Sequence, residues 1–159
     1  MAEPEIRLLG NGDHALLEAL ATAFAEAFDD QPNYTGRRPR VEYLTRLLGD
    51  PTFIALVALA EGTVVGGIIA YELRKFEQER SEIYLYDLAV VERWRRRRVA
   101  TRLIEALKAL AADRGAWVIF VQADTTADDQ PAIALYSRLG EAEEVLHFDI
   151  PVPARRLIS

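Results

Sequence analysis

Two apolar runs rich in branched side chains, Phe53 to Leu59 and Val64 to Tyr71, are joined through Glu61-Gly62. Such a pair reads as a β-hairpin closed by a tight turn, and it commits the chain to a sheet. Around it the apolar spacing switches between the strand and helix periods. Ile6 to Leu9, ended by Gly10-Asn11-Gly12, reads as an edge or first strand. Asp13 is placed to cap a helix with the stripe Leu16, Leu17, Leu20, Ala23, Phe24 and Phe28. Asp29 to Pro39 is polar and reads as a loop carrying Tyr34, long enough to border a substrate mouth. A second helix follows through Val41, Tyr43, Leu44, Leu47 and Leu48, stopped at Gly49-Asp50-Pro51.

Beyond the hairpin, Arg74 to Ser81 reads as a loop and Glu82 to Val91 as a strand. Arg95 to Arg98 opens a helix with the stripe Val99, Leu103, Ile104, Leu107 and Leu110. Trp117 to Val121 reads as a short central strand. Pro131 suits the first turn of a helix ending at Gly140, and Val145 to Ile150 reads as a last strand. Strand, two helices, three strands, helix, strand, helix, strand describes one α/β domain over residues 1–159, with helices on both faces of a mixed sheet.

Half of the 159 residues are hydrophobic and the formal net charge is −6, from 25 acidic and 19 basic side chains. An acidic surface disfavours nucleic acid and favours a cationic partner, although it also serves solubility alone. The chain has no cysteine, which removes disulfides, thiolate metal sites and cysteine nucleophiles. No H-E-x-x-H, calcium-loop, Walker or G-x-G-x-x-G pattern occurs, so no metal, dinucleotide or nucleoside-triphosphate site is expected. The amino terminus lacks an apolar signal core and no run approaches membrane-spanning length, which makes a cytoplasmic location the default.

The junction from Tyr86-Asp87-Leu88-Ala89-Val90 to Arg95-Arg96-Arg97-Arg98-Val99-Ala100 carries the most chemistry. A strand feeds a turn, and the turn feeds a helix whose first amides have no intrahelical acceptor. Such an end attracts anions. Four arginines there oppose the helix dipole unless a phosphate-bearing ligand offsets them, or unless they form an exposed polar cap.

This unit resembles the acetyl-CoA site of the GNAT superfamily of N-acetyltransferases, whose turn carries Arg/Gln-x-x-Gly-x-Gly/Ala. Arg95 and Ala100 fit the first and last positions, while Arg98 stands at the glycine. The expectation is that Arg98 keeps helical dihedrals and still offers its amide. Further blocks are similar to the aminoglycoside 3-N-acetyltransferase, gentamicin-acetylating branch. They include Phe53-Ile54-Ala55-Leu56, Arg80-Ser81-Glu82-Ile83-Tyr84, Val121-Gln122-Ala123-Asp124, Ala134-Leu135-Tyr136 and His147-Phe148-Asp149-Ile150.

The resemblance implies a mixed, mostly antiparallel GNAT sheet and direct acetyl transfer from acetyl-CoA to an aminoglycoside amine, without an acyl-enzyme. It implies cofactor contacts from Leu88, Ala89, Val90, Arg95, Arg96, Arg97, Arg98, Val99, Ala100 and Thr101. It also implies that Tyr136 donates a proton to the leaving thiolate, and that the protein is a homodimer. Asp87 and Glu82 are polar groups in an apolar strand, which is costly unless they are paired or face a cleft. Either could take the ammonium proton, or Glu82 could instead pair with Arg80 or Arg74. Tyr34, Glu82, Tyr84, Asp124, Asp128 and Asp129 are the candidate acceptor contacts. Other amines (a polyamine, a small metabolite or a protein N-terminus) remain open, as does a non-catalytic module of the same shape.

Overall fold

In a computed structural model, which describes residues 2–154, the hairpin forms the middle of a five-stranded sheet. Strand β1 (Glu5–Leu8) precedes helices α1 (His14–Phe28), α2 (Gln31–Tyr34) and α3 (Val41–Gly49). Then come β2 (Phe53–Ala60), β3 (Thr63–Arg74), β4 (Ser81–Val90), α4 (Val99–Asp113), β5 (Ala116–Val121) and α5 (Gln130–Leu139). The sheet order is β1-β2-β3-β4-β5. All pairs are antiparallel except β4–β5, which is parallel across the α4 crossover. The mixed, mostly antiparallel α/β architecture expected from the sequence is therefore present. No helix among the described residues is long and apolar enough to cross a membrane.

The β2–β3 turn places Glu61 at φ 51° and Gly62 at φ 80°, the paired positive dihedrals that match strand twist in a two-residue loop. Residues 53–58 and 64–70 are buried on both faces, because helices cover the sheet from each side. Leu20 of α1 and Leu103 and Leu107 of α4 are essentially inaccessible, as are Ile54, Ile68 and Ile83 of the strands. Gly67 lets α1 approach this closely. A Cβ there would meet the Leu56 carbonyl oxygen and, at 2.5 Å, the Leu20 side chain. Leu20 can turn aside but the strand carbonyl cannot. Gly67→Ala is therefore expected to lower unfolding free energy by about 1–3 kcal/mol, read as a lower urea midpoint at unchanged m.

Several local expectations are corrected. Asp13 sits at the α1 N-cap position, yet its carboxylate makes no cap bond. It accepts instead from the Gly10 amide (2.9 Å) and Arg7 (3.1 Å), fixing the preceding turn. The stretch expected to be all loop contains the turn of helix α2, started by the Asp30 carboxylate accepting from the Asn33 amide. Trp117 to Val121 is not central, because β5 pairs only with β4 among the described residues and is an edge. Val145 to Ile150 forms no strand there, since alternation supplies a face but not a pairing partner.

The described residues fall into two compact units, one ending at Gln122 and the other beginning at Ala123. The second contains a single 3₁₀ turn (Ala127–Asp129), α5, and an exposed segment after Gly140 that is neither helix nor strand.

Candidate active site

Strand β4 is paired on both sides only as far as Leu85, opposite Val121 of β5. Beyond that point it stays with β3 alone, through Asp87, Leu88, Ala89 and Val90. The register shifts there: Ile69 faces Asp87 and Ala70 faces Leu85, so Tyr86 is the inserted residue of a bulge. One backbone edge of residues 86–90 is thus without a β5 neighbour, at the place where the chain turns toward α4.

The turn itself is held in an unusual backbone state. Arg96 (φ 63°) and Arg98 (φ 62°) both adopt left-handed dihedrals. Arg98 does so at the N-cap position of α4, so the expectation that it keeps right-handed helical angles is wrong. The chain must reverse sharply to enter α4, and the side chain at that position follows whatever the reversal requires. Each such residue costs about 1–2 kcal/mol relative to glycine-like freedom, a strain that surrounding structure must hold. Part of the holding is visible. The Arg95 guanidinium donates from Nε to the Val90 carbonyl (3.0 Å) and from Nη2 to the Ala27 carbonyl (3.4 Å). Arg93 pairs with Glu26 at 3.4 Å, and Arg97 lies over the Trp94 ring at 4.9 Å.

No side chain caps α4; its first intrahelical bond runs from the Arg102 amide to the Arg98 carbonyl (3.0 Å). The amides of Val99, Ala100 and Thr101 therefore open the helix without side-chain acceptors. Arg96 and Arg98 are exposed and have no hydrogen-bond or ion-pair partner among the described residues. A turn whose glycine position holds left-handed backbone, followed by uncapped amides and two unpaired cations, fits a diphosphate.

The candidate acid–base group is Asp87. Its Oδ1 accepts from the Tyr34 hydroxyl at 2.9 Å, across 53 residues of sequence. Tyr34 is aimed by aromatic packing: its ring lies 5.7 Å from Phe24 and 5.6 Å from Phe28. Burial pushes the Asp87 carboxyl above the usual carboxylate range, partly offset by the Tyr34 hydrogen bond. Burial first, and the Asp87 charge second, likewise raise the Tyr34 and Tyr71 hydroxyls. The tyrosines therefore stay protonated as donors. A cleft of about 240 Å³ opens beside this pair, lined by Phe24, Tyr34, Arg37, Ile69, Tyr71 and Asp87 among others.

The other candidates separate. Glu82 lies 3.7 Å from Lys75, so its ion-pair partner is neither Arg80 nor Arg74. The Tyr84 hydroxyl donates to Gln122 Oε1 (2.7 Å), and its ring stacks on Phe120 at 4.6 Å. Tyr136 is on α5, in the second unit, together with Asp124, Asp128 and Asp129. Within that unit Asp129 accepts from the Asp124 amide at 2.7 Å, tying the loop to itself. No group of side chains among the described residues could hold a metal ion. Tyr71 was not anticipated; only its place in a strand paired to the Asp87 region gives it a role, and no local pattern announces that.

The acetyltransferase (GNAT) family model matches residues 14–140. An aminoglycoside acetyltransferase from an uncultured soil metagenomic sample is 61% identical over 96% of this chain and 100% of its own, with a TM-score of 0.94. A second soil-metagenome aminoglycoside acetyltransferase, in complex with sisomicin, is 30% identical over 94% of this chain and 96% of its own, with a TM-score of 0.86. The aminoglycoside N-acetyltransferase AAC(6')-Iy in complex with CoA shares the fold at 18% identity, covering 94% of this chain and 97% of its own, with a TM-score of 0.73. None of the curated proteins compared with the chain matches it. A split strand, an uncapped helix behind a left-handed turn, and a family match across four-fifths of the sequence agree, and the chain belongs to the GNAT family of acetyltransferases.

Proposed function

We propose that this protein transfers the acetyl group of acetyl-CoA to an amino group of an aminoglycoside, the 3-amino group in particular. The observation that carries the substrate class is the 61% identity, over nearly the whole chain, to an aminoglycoside acetyltransferase. The 3-amino position rests on the sequence blocks similar to that branch. The domain is read as one catalytic unit, working as a cytoplasmic homodimer without nucleic acid or membrane.

Acetyl-CoA supplies a thioester already activated for transfer. Val99, Ala100 and Thr101 would bind its diphosphate through main-chain amides, with Arg95, Arg96, Arg97 and Arg98 around it. The free edge at Leu88, Ala89 and Val90 would hold the pantetheine arm as an added strand. Asp87 has the role of binding the acceptor ammonium and taking its proton, so that a neutral amine attacks directly. The Tyr34 hydroxyl keeps that carboxylate oriented. Glu82, held by Lys75, is the weaker candidate for this work. Asp124, Asp128 and Asp129 would attract a polycation, with Tyr34 and Tyr84 as further acceptor contacts.

Tyr136 is assigned the proton that the leaving thiolate takes up. Tyr136→Phe is expected to lower kcat by roughly 10²-fold, the low end for losing a general acid, with the acetyl-CoA dissociation constant unchanged. An unchanged kcat removes it from the reaction.

One observation favours a second reading. The cleft beside Asp87 is lined mainly by apolar and aromatic side chains, and its two carboxylates, Asp87 and Glu18, are matched by Arg37 and Arg38, which suits an amine of lower charge than an aminoglycoside, such as a polyamine or a peptide N-terminus. Thiol release from acetyl-CoA with gentamicin or sisomicin, compared with spermidine and a peptide amine, separates the two. The aminoglycosides should give the highest kcat/KM, and a preference for spermidine or the peptide would replace the substrate assignment.

A further inference from the structure

Aromatic side chains stand opposite one another across strands β2 to β5. The register pairs Phe53 with Tyr71, Tyr71 with Tyr84, and Tyr84 with Phe120, so these rings share one face of the sheet. The bulge adds Tyr86 to the row. Its ring lies 5.8 Å from Tyr71 and 5.4 Å from Tyr84. Phe53 is 5.9 Å from Tyr71 at one end, and Phe120 is 4.6 Å from Tyr84 at the other. The row begins in the cleft, which Phe53 and Tyr71 line beside Asp87. It comes out at Tyr86, which is 59% exposed while the flanking Leu85 is buried. A ring left so open contributes little by burial.

Tyr71 and Tyr86 meet at 85°, so their faces make two walls of a corner. A tyrosine face is the negative part of the ring quadrupole and attracts a cation. The protein's own cations do not use this corner: among the described residues, the arginines that lie over rings are Arg80 on Trp117 and Arg97 on Trp94. The Tyr34 and Tyr84 hydroxyls are tied to Asp87 and Gln122, whereas those of Tyr71 and Tyr86 make no hydrogen bond among the described residues. The cleft is also short of negative charge for a polycation, because Arg37 and Arg38 match its two carboxylates. Asp87 is committed to the amine that reacts. Any other ammonium group on the same acceptor needs a different partner. Two perpendicular ring faces beside Asp87 supply one, without the cost of burying a further carboxylate.

We infer that Tyr71 and Tyr86 form an ammonium subsite, which holds a second, non-reacting ammonium group of the acceptor by cation–π contact while Asp87 takes the first. The inference rests on the aminoglycoside reading, and the test distinguishes the two. Phenylalanines carrying zero to three ring fluorines, introduced at position 86 of the full-length protein, drain the ring face stepwise with little change of shape. Gentamicin affinity, from calorimetric titration with CoA present, should fall in step with fluorine number, by about 3- to 30-fold across the series. Tyr86→Phe keeps the ring face and should bind as tightly as wild type. Tyr86→Leu keeps only apolar bulk and should bind as weakly as the most fluorinated ring. Packing alone would not follow the fluorine count. A flat series with gentamicin still bound overturns the subsite and leaves the aminoglycoside reading in place. Gentamicin that fails to bind the wild-type protein overturns both.

Discussion

Asp87→Asn should reduce kcat roughly 10²- to 10⁴-fold, the range for losing a general base, while the protein melts no earlier than wild type at neutral pH. The two halves of this result have one cause. Burial raises the Asp87 carboxyl above its unfolded value, so between those two values the folded state holds more protons than the unfolded one. Stability contributed by this group is therefore lost as pH rises through that window. At neutral pH the wild-type protein carries a partly buried charge that asparagine removes. Asparagine still offers an oxygen to the Tyr34 hydroxyl, so the aromatic cluster of Phe24, Phe28 and Tyr34 remains anchored. The acidic limb of the wild-type kcat/KM profile, in which the rate climbs as Asp87 ionises, should disappear in the variant. A variant that keeps its rate and that limb would remove Asp87 as the base. One that simply unfolds would make the pair structural.

Ala100→Pro is expected to weaken acetyl-CoA binding about 10- to 100-fold, the worth of one hydrogen bond to a charged group. The helix should survive, because a proline in the first turn deletes an amide that has no intrahelical acceptor. Calorimetric titration measures the affinity, and far-ultraviolet circular dichroism reports whether α4 is retained. Wild-type affinity in a folded variant would mean that the Ala100 amide does not face the diphosphate. The substitution is more telling than one at Arg98, where strain, charge and side-chain bulk would all change together.

The elements that were legible in the sequence are those set by local pattern. The Phe53–Tyr71 hairpin was fixed by two apolar runs and a Glu-Gly turn. The α4 stripe of Val99, Leu103, Ile104 and Leu107 was fixed by helical spacing, and all four are buried. The position of the turn at Arg95–Ala100 was also readable. Its backbone was not, because arginine gives no sign of left-handed dihedrals; they are imposed by the entry of β4 into α4. Asp87 stood out as a polar residue in an apolar strand, but its partner Tyr34 is brought to it only by α1 and α2 folding over the sheet. Glu82 pairs with Lys75 rather than Arg80 or Arg74 because the β3–β4 register sets Glu82 opposite Leu73, and Lys75 follows two residues on. Edge and centre cannot be told apart from six apolar residues, and so β5 was misplaced.

Cofactor binding as proposed depends on main-chain donors at the start of α4. Amide proton and nitrogen shifts of the ¹⁵N-labelled protein, followed as acetyl-CoA is added, test it most directly. Val99, Ala100 and Thr101 should show the largest downfield proton movements, with Leu88 to Val90 next. Saturable binding that moves other amides and leaves these three in place would contradict it.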